Sequence, residues 1–77
     1  MKLTKQIIEH EIDRVLALST GGPLQYPSDI LWVVAQNMTA RGGSFVKVLG
    51  ELYMRSDGEN QRKVLETWPN YFIQYHD

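Results

Sequence analysis

The chain has no cysteine in its 77 residues. That excludes a disulfide framework, a thiolate metal site and a cysteine nucleophile. It also lacks an excess of either charge: eight lysine and arginine residues against nine acidic ones leave a formal net charge of −1. Nucleic-acid binders usually carry a basic footprint, because neutralising phosphates supplies much of their affinity. Long apolar runs are missing too. The longest, Ile30 to Ala35, falls far short of the roughly 20 residues needed to span a bilayer. The basic start, Met1 to Lys5, is followed by Glu9, Glu11 and Asp13 where a signal peptide needs an apolar core. The two histidines, His10 and His76, lie near opposite ends of the chain, and no acidic set completes a metal constellation. No metal and no cofactor is implied. The expectation is a soluble, cytoplasmic protein folded as one domain over residues 1–77.

Enough apolar residues are present, 43% of the chain, to build a core. Surface scaling gives roughly 4,800 Å² exposed when folded, so about 8,000 Å² is buried. With about 60% of that apolar, burial contributes on the order of 120 kcal/mol. Ordering the chain at about 1.5 kcal/mol per residue costs about 115 kcal/mol. A lone chain is therefore viable but marginal, which favours association with a partner, including itself.

The apolar spacing is helical. Leu3, Ile7, Ile8, Ile12, Val15 and Leu16 form one stripe, with Thr4 as N-cap of a helix to about Leu18. Ser19-Thr20-Gly21-Gly22-Pro23 stops it, with Gly21 or Gly22 in the left-handed region. Leu24 to Pro27 is a short connector. Ser28 then caps a second helix that opens with Asp29 at the positive end of its dipole. Ile30 to Ala35 taken alone also fits a buried strand, but Ile30, Val34 and Met38 continue a helical rhythm. Gly42-Gly43 ends this helix, and Ser44 is expected to cap the third. There the expected core stripe is Phe45, Val48, Leu49 and Leu52. Gly50 inside it costs about 1 kcal/mol relative to alanine, which points to close approach of another backbone. Ser56-Asp57-Gly58 is a turn and cap before a fourth helix, about Glu59 to Trp68, closed by Pro69. The tail from Tyr71 to Tyr75 is too aromatic to be a loose terminus. The fold expected is a compact all-α bundle of four short helices with the aromatic C-terminal segment packed back on it.

Several groupings suggest chemistry. Gly43 and Ser44, beside Arg41, stand before a helix N-terminus, where free N–H groups attract anions. A Walker loop would need a preceding strand and a lysine after the last glycine, and neither is present. The same turn reads as a helix-turn-helix in which Ser44, Lys47, Glu51 and Arg55 face a DNA groove. The net charge and the intervening Glu51 count against it. Ser44, His10 and a carboxylate have no spacing that marks a catalytic triad, and a chain this small hardly builds a sheltered pocket. No enzyme activity is expected. Glu9, Glu11 and Asp13 read as a solvated helix face. The aromatics are more telling. Trp32, Tyr53, Trp68, Tyr71, Phe72 and Tyr75 are many rings for one small core, and such rings concentrate at interface hot spots. Trp32, Val33, Tyr71, Phe72 and Tyr75, with Arg41 as a polar anchor, are the expected partner-binding residues, and a homodimer is expected.

The run Arg41-Gly42-Gly43-Ser44-Phe45-Val46, then Leu49, Trp68-Pro69-Asn70-Tyr71 and Tyr75, resembles small bacteriophage and prophage accessory proteins. In those, a Gly-Gly-Ser-Phe turn opens a helix and an aromatic-Pro-x-aromatic segment closes the chain. The resemblance covers about residues 30–77 and leaves out 1–27. It implies a phage accessory gene expressed in a bacterial cytoplasm, acting by binding and blocking a host or defence protein, or by regulating phage genes. It brings no catalytic residues with it.

Overall fold

The computed structural model describes residues 2–25 and 28–77. Tyr26 and Pro27, in the expected connector, lie outside the described residues, as does Met1. Among the described residues five helices follow in order: α1 (Lys5–Leu18), α2 (Asp29–Arg41), α3 (Ser44–Arg55), α4 (Gly58–Thr67) and α5 (Pro69–Gln74). No strand occurs among the described residues, so Ile30 to Ala35 is helix. The protein is all-α, and none of its described helices is long and apolar enough to cross a membrane. Its accessible surface, 4787 Å², matches the roughly 4,800 Å² expected of a compact monomer of this mass.

Local chemistry accounts for the helix starts. The Thr4 hydroxyl accepts from the Ile7 N–H at 3.2 Å. Ser28 accepts from Leu31 at 3.1 Å, and Asp57 accepts from Asn60 at 2.9 Å. Each satisfies a first-turn donor that has no partner inside its helix. Gly21 takes the left-handed φ of 74° expected after α1. The tail is itself a helix, so the expected four helices become five. Pro69 occupies the first position of α5, where a missing N–H costs nothing. The Tyr75 carbonyl accepts from Asn37 Nδ2 at 3.2 Å, which clips this end to α2.

Two expectations need correction. Gly43, not Ser44, is the N-cap of α3, and no side chain accepts from its first turn. Ser44 already belongs to the helix, which starts one residue after the turn. The core stripe of α3 is Val46, Leu49, Gly50 and Tyr53, while Phe45, Val48 and Leu52 face outward. The reason is the α2–α3 seam. A Cβ at position 50 would lie 2.7 Å from the Ala35 carbonyl oxygen and 3.0 Å from Met38 Cβ. Only glycine admits that approach, and seating Gly50 on α2 turns Leu49 and Tyr53 inward.

Around this hairpin, α1 packs on α5, α2 and α4. Ile8, Ile12, Val15, Leu31, Val34, Met38, Leu65 and Phe72 fill the centre. Tyr53 and Phe72 meet edge-on at 5.1 Å between ring centres.

Candidate interaction surface

One polar cluster lies inside the bundle, and it is structural. Glu11, expected on a solvated face, is buried. Arg14 Nε and Nη2 donate to its two oxygens at 2.8 and 2.9 Å. The Ser28 hydroxyl also donates to it, while accepting from the Leu31 N–H. One carboxylate thus ties α1 to the cap of α2. The Arg14 hydrogen bonds hold the Glu11 carboxyl below the usual range, against the opposing effect of burial and with help from Ser28. Burial, with the Glu11 charge adding, pushes the Tyr53 phenol up to about 12. The periodicity of α1 misplaced Glu11 because a paired carboxylate fits a buried position that an unpaired one does not.

The outer face carries the unpartnered apolar surface. On α3, Phe45, Val48 and Leu52 are 53%, 62% and 47% exposed. Their spacing of three and four residues aligns them on one side of the helix. Phe45 meets Trp68 edge-on at 5.9 Å and Tyr71 at 5.4 Å between ring centres. The stripe thus joins the α4–α5 corner. Beside it, between α3 and α4, runs a groove of about 450 Å³ lined by Leu52, Lys63, Val64 and Trp68 among others. Large exposed apolar side chains arranged contiguously mark interaction sites more often than chance does. The sequence expectation missed this stripe because it assigned these residues to the core.

The expected partner-binding residues do not converge. Trp32 and Val33 are exposed on α2, at 42% and 43%. Arg41 lies nine residues beyond Trp32, about two and a half turns, and so on the opposite side of α2. It lines a depression of about 300 Å³ with Gln74, Tyr75, His76 and Asp77. Tyr71 belongs to the Phe45 corner. Phe72 is a correction: it is fully buried against Tyr53 and offers nothing to a partner. A six-residue helix that closes a bundle must turn one large side chain inward, and Phe72 is that residue.

Of the possible anion or DNA residues, Gly43 is the N-cap of α3, and Ser44, Lys47 and Arg55 are exposed along one side of it. Gly50, six residues after Ser44, meets Ala35, six residues before Arg41. The two helices therefore run back alongside each other. A DNA-reading pair crosses at about 90–120° after a longer turn. The outward side of α3 is also half apolar, which suits a protein partner better than a groove of bases and phosphates. Among the described residues no group of three histidine, aspartate or glutamate side chains is placed to hold a metal ion.

No protein-family model matches the chain, and neither a curated protein nor a solved structure does.

Proposed function

We propose that this chain is a small protein-binding module without catalysis of its own. In this reading it is a phage-type factor that docks on a host or defence protein in the bacterial cytoplasm and blocks it sterically. The observation that carries the proposal is the pair of separate apolar patches on so small a domain: Trp32 with Val33 on α2, and Phe45, Val48 and Leu52 on α3. A buried apolar centre with a polar rim is the usual anatomy of a protein interface, and tryptophan is among the strongest anchors. The likeness of residues 30–77 to phage accessory proteins supplies the biological setting. The side-by-side packing of α2 and α3 weighs against the helix-turn-helix alternative.

Two measurements test the reading. Tagged protein incubated with bacterial lysate should retain one protein in stoichiometric amount, and Trp32→Glu should lose it. Absence of any specifically retained protein, or retention untouched by Trp32→Glu, would overturn the assignment of this patch. A salt titration on duplex DNA should show no binding at low salt. A steep salt-dependent affinity would instead revive the regulator reading.

A further inference from the structure

The outer stripe of α3 has a charge pattern that matches itself, and we infer that a second copy of this chain docks there, α3 against α3 in antiparallel orientation about a two-fold axis near Val48. This inference rests on the reading of the protein as a binding module and names the occupant of one of its two patches.

The apolar residues come first. Phe45, Val48 and Leu52 span seven residue steps, about 10 Å along the helix. Reversing a second α3 about Val48 sets Val48 against Val48 of the other copy and Phe45 within one residue's rise, about 1.5 Å, of Leu52 of the other copy. Each Phe45 then stands at the mouth of the other copy's groove, where Val64 and Trp68 provide apolar wall. A groove of about 450 Å³ leaves room for one ring.

The charges add direction. Lys47 and Glu51 follow the stripe along one flank, because they lie about 100° and 60° around the helix on the same side of Val48 at 100° per residue. Neither forms an ion pair among the described residues. In a two-fold antiparallel pair, the same flank of each helix meets its counterpart. Lys47 of each copy then stands beside Glu51 of the other, giving two reciprocal pairs from one arrangement. The helix dipoles also oppose each other in this orientation. The patch is short, so the association is modest and dependent on concentration.

Sedimentation velocity over a concentration series tests the pairing on the full chain, with circular dichroism to confirm that each variant stays folded. The wild type should shift from monomer to dimer as concentration rises. Val48→Glu, at the most exposed point of the stripe, should remain monomeric throughout. Lys47→Glu should weaken the dimer roughly three- to tenfold, because both pairs become repulsive. Adding Glu51→Lys to Lys47→Glu should restore it, because both pairs reform with their signs exchanged. A wild type that is monomeric at every concentration, a dimer that Val48→Glu leaves intact, or a double exchange without recovery would each overturn the inference. A monomer that still captures a lysate protein through Trp32 would sink this pairing alone. A dimer that captures nothing would sink the Trp32 assignment alone.

Discussion

Two largely apolar stripes run along α3, one residue apart. Val46, Leu49, Gly50 and Tyr53 face inward; Phe45, Val48 and Leu52 face outward. The outer stripe carries no polar side-chain atom and no glycine and is, by apolar content alone, the better core. The inner one is buried because its glycine lets two backbones touch, and that contact brings all of α3 against α2 at once. Close packing along a whole helix outweighs the somewhat greater apolar content of the other face.

The strongest way to break this comparison is to truncate a member of each stripe. Leu49→Ala should cost about 2–4 kcal/mol in chemical denaturation, since Leu49 is only 3% exposed and its loss leaves a cavity. An equally small effect at Leu49 and Leu52 would erase the distinction. Gly50→Ala sharpens the argument further. In an open helix alanine would stabilise by about 1 kcal/mol. Here the added carbon meets the Ala35 carbonyl oxygen at 2.7 Å, so the expected result is a net loss of about 1–3 kcal/mol. A gain in melting temperature would show that the seam is looser than described.

The α1–α2 tether gives a smaller effect with a definite pH sign. Glu11 titrates below its usual range in the folded chain, chiefly through Arg14. Its contribution is therefore present above the unfolded carboxyl pKa and is lost as pH falls through the lower folded value. Glu11→Gln should cost about 1–2 kcal/mol at neutral pH and should flatten the acid limb of a stability-against-pH curve below about pH 4.3. An acid limb identical to that of the wild type would remove Glu11 from the account. The smallest effect belongs to the outer stripe: Leu52→Gln, measured at high dilution, should change stability by less than about 0.5 kcal/mol. A larger loss would place Leu52 in the core after all.

Much of the framework is readable locally. Thr4, Ser28 and Asp57 cap helices through their own hydroxyl or carboxylate oxygens, and Pro69 opens a helix because its fixed φ suits that position. Each interaction spans three residues, so neighbouring sequence is enough to determine it. The exposed apolar surface was legible only in part: Trp32 and Val33 are exposed as expected, Phe72 is not, and Phe45, Val48 and Leu52 were assigned to the wrong side. Glu11 was misread for a related reason, because its partner Ser28 lies seventeen residues away.

The sequence by itself determined the helical class, the side-chain caps at Thr4, Ser28 and Asp57 and the absence of any disulfide. These follow from residue types and from spacings shorter than two turns. Which face of α3 points inward, and whether the Glu11 carboxylate is buried, was decided only by tertiary structure. Leu49 fits the expected stripe with Phe45, Val48 and Leu52 as well as the buried one with Val46 and Tyr53, so periodicity alone satisfies either orientation, and the backbone contact at Gly50 that decides between them exists only once α2 lies alongside.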